Sequence, residues 1–484
     1  MRMKLPKILL PALLTLSLTG RAQLWQTYNM NNSEISGNTV LALTTDKKDN
    51  KWIGTNLGLC RFSGKTWTDY AMFNEKLKDQ FVNCLTVDNK GVLWIGTDDY
   101  GVIEFDGSRW TEHNAEVKRL NMKYIREISI DRNDVKWIGV TLGGLVKYNG
   151  STWDKYTQSN SGLLSDFILC VTIDRQNNKW IGTNDGLCVF DDSRWTTYTT
   201  ANSKLPHNIV PSIVIDKSGA KWIGTLGGLC RFDGETWKTY NTHNSPIPSD
   251  QVNDLALDAG GALWIATDNG VAVFDGKENW RVYSAKAQQL PGKVVQNIAI
   301  DARGDKWFGT DFYGLARFSG QGIQGRITDE RGNAKAGVTV ECGEMTATTD
   351  ADGKFYFEVA SGTTTTLRPR MEGYECTPSE RTFNGLKAFA FNQDFTVSNG
   401  MVAKGNSPEK VMVTPYLAEG YITIAMESPV AEVEFVDASG KSIRTIPEYK
   451  NGARITISKM PRTNYTLYIR TAKGEKSLKF NWKQ

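Results

Sequence analysis

Histidine is scarce in this chain, with 3 residues in 484. That leaves little from which to build a His-rich metal centre. Net charge is nearly absent as well. The formal charge is +4, from 57 basic and 53 acidic residues, which excludes a global polyanion-binding surface and points away from nucleic acid. Beyond the N-terminus no long apolar run occurs, and 45 Gly with low mean hydropathy exclude a multispanning membrane protein. The chain carries no G-x-S-x-G elbow and no glycine-rich phosphate loop.

The N-terminus accounts for the residual charge. Arg2, Lys4 and Lys7 precede an apolar stretch from Ile8 to Leu18, followed by Thr19-Gly20-Arg21-Ala22. A basic start, a short apolar core and small residues at the end predict a secretory signal peptide over residues 1–22. The apolar core is too short to span a bilayer comfortably. Cleavage after Ala22 removes four basic residues and leaves 53 of each sign. The expected mature chain is exported, neutral and without a transmembrane segment.

Tryptophan is plentiful and periodic. WIGT or a close variant begins at Trp52, Trp94, Trp137, Trp180, Trp222, Trp264 and Trp307. A second motif, W-x-x-Y or nearly so, begins at Trp25, Trp67, Trp110, Trp153, Trp195, Trp237 and Trp280. Both recur every 42 or 43 residues, so 14 of the 15 Trp lie on one grid. Each period reads as four short strands: an apolar strand ending in Asp, the WIGT strand, a GLCRF-type strand and the W-x-x-Y strand. Turn formers such as Asp-Gly separate them. Four antiparallel strands every ~40–45 residues mark a β-propeller blade. The last period lacks its fourth strand after Phe318, and a spare one stands at Leu24–Tyr28. The N-terminus is therefore expected to complete the last of seven blades, leaving no free edge.

These repeats resemble the two-component regulator propeller family, whose pattern is D-x-x-G-x-x-W-I-G-T and then G-L-x-x-F/Y. The run Asp88-Asn89-Lys90-Gly91-Val92-Leu93-Trp94-Ile95-Gly96-Thr97 matches it position for position, while some other blades lack the Gly. The resemblance covers residues 23–320. It implies an extracytoplasmic propeller of the kind found in glycan-responsive sensor kinases and in secreted proteins without a kinase.

Residues 321–397 have another character. Gly325–Asp329, Gly337–Val340, Thr349–Phe355 and Gly373-Tyr374 resemble the carboxypeptidase regulatory-like domain, which implies a small non-catalytic β-sandwich. Residues 398–410 read as a polar linker. Residues 411–484 resemble the C-terminal sorting domain of type IX (Por) secretion, through Asp437-Ala438-Ser439-Gly440-Lys441, the strand Ala453–Ile457, Met460-Pro461 and the basic positions Lys479 and Lys483. The expected fold class is all-β: a seven-bladed propeller followed by two small β-sandwiches. The resemblance places the protein at the surface or outer membrane of a Gram-negative bacterium, or secreted from it.

Several features are assigned to packing. Cys60, Cys188 and Cys230 share one repeat position, and Cys84 and Cys170 another. Equivalent positions in different blades are too far apart to bridge, so these read as small buried residues. Cys342 and Cys376 share the sandwich and are the pair open to a disulfide. Asp46, Asp88, Asp131, Asp174, Asp216, Asp258 and Asp301 recur at strand ends and read as turn caps. The grid Trp read as packing between sheets. Residues that bind should instead break the repeat.

Strand counting divides the connections between two faces. Links from second to third strand, and from each blade to the next, share one face. The chain enters and leaves the propeller on the other, so the C-terminal domains should hang there. On the free face Asp99, Tyr100, Tyr124, Phe167, Phe312 and Tyr313 are the candidate ligand-binding residues, because carboxylates beside aromatics suit sugar hydroxyls and ring faces. No catalytic residue, metal ligand or cofactor is assigned. The expected role is non-enzymatic binding of a glycan or cell-surface protein. The alternatives are an accessory or attachment component of type IX secretion, and a polysaccharide lyase-like enzyme.

Overall fold

The protein is described by a computed structural model, which covers residues 24–484 except 288, 372, 373, 403, 406–409, 417, 418, 483 and 484. The signal-peptide segment 1–22, Gly373 and Lys483 therefore lie outside the described residues. The chain is nearly all β. Its first part is a seven-bladed propeller, each blade a four-stranded antiparallel sheet, in sequence order in blades 1 to 6. Blade 1, for example, comprises Val40–Thr45, Lys51–Thr55, Gly58–Phe62 and Trp67–Asp69. In blade 7 the outermost strand is Trp25–Tyr28, paired with Gly314–Phe318 in the register Trp25↔Phe318 to Tyr28↔Leu315. The innermost strand of blade 7, Val295–Ile300, packs on that of blade 1, so the ring closes.

One local unit recurs in all seven blades. The Asp that ends the first strand accepts two backbone amides through Oδ1 and the WIGT indole through Oδ2. In blade 2, Asp88 accepts from Lys90 N and Val92 N at 2.9 Å and from Trp94 Nε1 at 3.2 Å. In blade 4, Asp174 holds Trp180 Nε1 at 2.9 Å, and in blade 7 Asp301 holds Trp307 Nε1 at 3.0 Å. The third residue after the Asp is left-handed, and this explains where the repeat departs from Gly. Gly91, Gly219, Gly261 and Gly304 alternate with Asp49, Asp134 and Asn177, and Asp and Asn are the non-glycine residues that tolerate that conformation best.

The blades are joined by a contact that the periodicity did not reveal. Where the residue before the WIGT Trp is Lys, its ammonium lies over the indole of the preceding blade. Lys136 is 4.8 Å from the Trp94 ring centre, Lys179 is 4.6 Å from Trp137, Lys221 4.6 Å from Trp180 and Lys306 4.8 Å from Trp264. Lys51 closes the ring over Trp307 at 5.3 Å and pairs with Asp301 at 2.9 Å. Leu93 and Leu263 fill the same slot in blades 2 and 6 and are buried. A desolvated cation over an indole contributes about 2 kcal/mol.

The sandwich pairs Thr339–Cys342, Met345–Thr348, Thr365–Arg370 and Arg381–Phe383 in one sheet. The facing sheet runs Lys354–Ala360, Gly320–Asp329, Phe395–Val402, Val411–Tyr416, Tyr421–Met426 and Arg454–Thr456. Two expectations change here. Part of residues 398–410, read as a linker, is strand: Phe395–Val402 pairs with Val411–Tyr416, and Lys404–Gly405 pairs with Gly474–Asn481. The polar composition that suggested a linker is that of a strand joining two domains through one continuous sheet. Cys342 and Cys376 are free thiols. They stand on the two facing sheets, and Cys342 Sγ is 3.3 Å from Thr365 Oγ1.

The sandwich is built into the propeller. Phe389, Phe391 and Tyr356 belong to the same apolar cluster as Trp264, Tyr283, Phe308 and Phe318. Asp258, the blade 6 cap, accepts Phe389 N at 3.0 Å, and Tyr283 and Tyr356 hydroxyls meet at 3.0 Å. Asp258 ends the blade 6 first strand, and Asn279, in the link after its third strand, donates to Asn392 Oδ1 at 2.8 Å, so the sandwich occupies that face.

Two outcomes follow. Asp301→Ala removes the acceptor of Trp307, of two backbone amides and of Lys51, and should cost about 3–5 kcal/mol of stability in urea unfolding. Phe389→Ala should cost about 3–5 kcal/mol and split one calorimetric transition into separate propeller and sandwich transitions.

Candidate ligand face

The free face is a lattice of short links held by the same hydrogen bond in every blade. The first residue of each second-to-third-strand link donates its N–H to a backbone carbonyl one to three residues before a first strand. The pairs are Asn56 to Thr39, Asp98 to Phe81, Thr141 to Tyr124, Asn184 to Phe167, Leu226 to Ile209, Asp268 to Gln251 and Asp311 to Val294. The scaffold is thus common to the blades, and what it presents is not. Blades 1, 4, 5 and 6 have two-residue links before the strand Gly. Blades 2, 3 and 7 have three: Asp98-Asp99-Tyr100, Thr141-Leu142-Gly143 and Asp311-Phe312-Tyr313.

The candidate residues fall into two groups and one outlier. Asp99 and Tyr100 meet the next inter-blade link, since Lys123 Nζ lies 3.7 Å from Asp99 Oδ1 and Tyr124 N donates to Asp98 O at 2.8 Å. Lys76 sits 5.8 Å from the centre of the Tyr100 ring and pairs with Glu112. Phe312 and Tyr313 form a second group on blade 7, with Gly292 against the Tyr313 ring. Tyr100, Tyr124, Phe312 and Tyr313 are all exposed. Phe167 is only half-buried, at the start of blade 4, and joins neither group.

The candidate residues leave out six apolar side chains of the same face. Met30, Leu57, Met72, Phe73, Phe81 and Leu142 are exposed too, Met72 at 84% and Leu142 at 71%. All lie in links of the free face, on blades 7, 1, 2 and 3. In the matching links blades 4 to 6 present Asn184-Asp185, Leu226-Gly227 and Asp268-Asn269, with Leu226 half-buried, and Asp250-Gln251 precede blade 6. The signal was available: an aliphatic residue at a link position where other blades carry Asn, Asp or Gly.

At the centre, one equivalent position near the start of each innermost strand breaks the repeat: Ala42, Cys84, Glu127, Cys170, Ser212, Asp254 and Asn297. Asp254 ties three blades together, accepting from Ser212 Oγ at 2.9 Å, Leu255 N at 2.8 Å and Ile298 N at 2.8 Å. Glu127 accepts only Ile128 N, at 3.1 Å, among the described contacts. Desolvation, and then the charge of Asp254, push its carboxyl up to about 7. Burial alone dominates the thiols, and Cys60 is pushed up to about 12. His113 does not reach this centre. It pairs with Glu104 at 2.5 Å and stacks on Trp94.

The profile of the family described as two component regulator propeller matches residues 76–99, which span the blade 2 cap and its WIGT strand. No curated protein matches the chain. Among solved structures, the extracellular domain of a hybrid two component system from B. thetaiotaomicron aligns with 95% of the chain at 17% identity and a TM-score of 0.54. A second such domain from that organism covers 94% at 18% identity and a TM-score of 0.52. The chain spans 57% and 58% of the length of these two structures. Virginiamycin B lyase from Staphylococcus aureus aligns with 60% of the chain and 98% of its own, at 15% identity and a TM-score of 0.50. At identities this low the likeness extends to the propeller fold alone.

The Glu127 carboxyl carries a sign that can be checked. Its raised folded-state pKa means the fold favours the protonated form. The associated stability is full below the ordinary glutamate value and is lost as pH rises through about 7. Glu127→Gln should therefore raise stability by about 1–3 kcal/mol at pH 8 and by progressively less toward pH 5, measured by urea unfolding across that range.

Proposed function

We propose that this protein is an exported, non-enzymatic propeller that binds a glycan or a surface protein on the face opposite its C-terminal domains. The observation that carries the reading is the division of labour between the faces. One face is consumed by the sandwich, through Asp258, Tyr283 and Trp264. The other is open and carries nearly all the exposed large apolar residues of the propeller, including Tyr100, Tyr124, Phe312 and Tyr313. Monomeric proteins seldom leave such surface uncovered without using it. Export rests on the basic and apolar N-terminal segment. The resemblance to extracytoplasmic propellers and to a type IX sorting domain points the same way.

The structure favours a stable attachment role for the C-terminal domain over a loosely tethered tail. Val411–Tyr416 and Tyr421–Met426 extend a sandwich sheet, and Lys404–Gly405 joins the sheet of Gly474–Asn481. Residues 411–484 are in this reading a built-in part of an accessory or attachment component at the outer membrane.

The test is binding by the full mature chain to a glycan array and to candidate outer-membrane proteins, each compared with a Tyr100→Ala/Tyr124→Ala variant. The expected result is specific binding weakened at least tenfold in the variant while its melting temperature stays within a few degrees. Binding that ignores the variant would move the site off this face. Release of unsaturated product from a uronic-acid polymer would make the protein an enzyme of the lyase type.

A further inference from the structure

Ten non-glycine residues among those described have a left-handed backbone, and seven are Asp or Asn. The other three are Tyr124 (φ 56°), Leu142 (φ 59°) and Phe312 (φ 64°). For bulky side chains this conformation is a real departure from the preferred regions. All three are exposed, Leu142 at 71% and Phe312 at 72%. All three lie on the free face. Leu142 and Phe312 hold the same middle position of a three-residue link, in blades 3 and 7, where Gly or Asn would meet the backbone demand at less cost. The fold therefore tolerates strain in order to hold apolar side chains in water. Observed strain of this kind points to function.

We infer that the arc over blades 7, 1, 2 and 3 is a docking surface for a polypeptide partner that presents aliphatic and aromatic side chains. This rests on the free-face reading and narrows it from glycan or protein to protein. The side chains carry the choice. Met30, Leu57, Met72 and Leu142 have neither the ring face nor the hydrogen-bonding groups that a saccharide uses, whereas Met and Leu beside Phe and Tyr fit an apolar peptide surface. The area agrees. With whole aromatic side chains at about 150–250 Å², the exposed fractions amount to roughly 1,000 Å², of the order of one side of a standard protein interface. The polar half on blades 4 to 6, with Asp185, Asp268 and Asn269, would form the rim.

The experiment pans random peptides displayed on phage against the full mature chain. The best sequence is then measured as a free peptide by fluorescence anisotropy, with a glycan array run in parallel. Enriched peptides should carry Leu, Ile, Met or Phe. Leu142→Gly and Phe312→Gly should each weaken peptide binding at least fivefold, while Lys65→Ala, in an exposed turn between third and fourth strands and so off this face, leaves it within twofold. Because glycine relieves the backbone, both glycine variants should melt no lower than the parent, so weakened binding cannot be ascribed to misfolding. No enrichment, or peptide binding indifferent to both glycine variants, overturns the inference. Glycan binding lost in those variants, without peptide capture, overturns it and leaves the free-face reading standing. Binding of either ligand that ignores every free-face variant removes both.

Discussion

The propeller depends on how the WIGT indole is held. Each ring is fixed from its own blade by an Asp carboxylate, and in five blades it is covered by the Lys of the next. The same carboxylate caps the turn leading into the strand. One acidic side chain thus sets the turn, the Trp rotamer and the position of the cation that crosses to the neighbour. An indole is the right residue for this post, because it offers a large apolar body, a single donor and a negative ring face. Replacing Lys by Leu at Leu93 and Leu263 keeps the packing and drops the charge, which shows that the slot is first a volume to be filled. Lys306 marks the cost of the arrangement: burial pushes its ammonium down to about 8, with Asp258, Asp305 and Asp301 opposing the shift.

The sandwich uses this machinery instead of adding its own. Asp258 serves Trp264 within blade 6 and Phe389 N in the sandwich. Lys306 reaches Gln321 and the carbonyl of Gly320, where the chain leaves the ring. Gln321 in turn bridges Gly304 O and Ser361 Oγ at 2.8 Å. Propeller and sandwich therefore meet through buried polar bonds and a common apolar cluster, and the free face is carried on a stiff base.

Much of the architecture was legible because the fold needs the same residues seven times. The Trp grid, the Asp at strand ends and the spare strand at Trp25–Tyr28 are all periodic, and periodicity survives in a single sequence. The Lys–Trp contact was not legible, since it links residues one repeat apart that each look ordinary. The part of the joining strand from Ser398 onward reads as linker because Ser398-Asn399-Gly400 is small and polar, and only its neighbours make it a strand. Of the candidate site, the aromatic residues could be named from loop position. Leu142 carried a weaker signal, an aliphatic residue where other blades have Asn, Asp or Gly, and its left-handed backbone is visible only in the fold. Glu127 escaped for a related reason: its innermost-strand position matters only once seven strands surround it.

The closure of blade 7 also has a consequence in time. Ser319 Oγ donates to the carbonyl of Leu24, 295 residues earlier. At about 5–20 residues per second, the strand Trp25–Tyr28 waits on the order of tens of seconds for its partner to be made. Throughout that wait Gly314–Phe318 does not exist, and the ring cannot shut. An incomplete ring exposes an unpaired edge that invites the wrong strand. Long-range pairing of this kind is intrinsically slow to form. Closure of the ring thus requires the union of the first strand with the last blade, and any state that lacks it carries an unpaired edge.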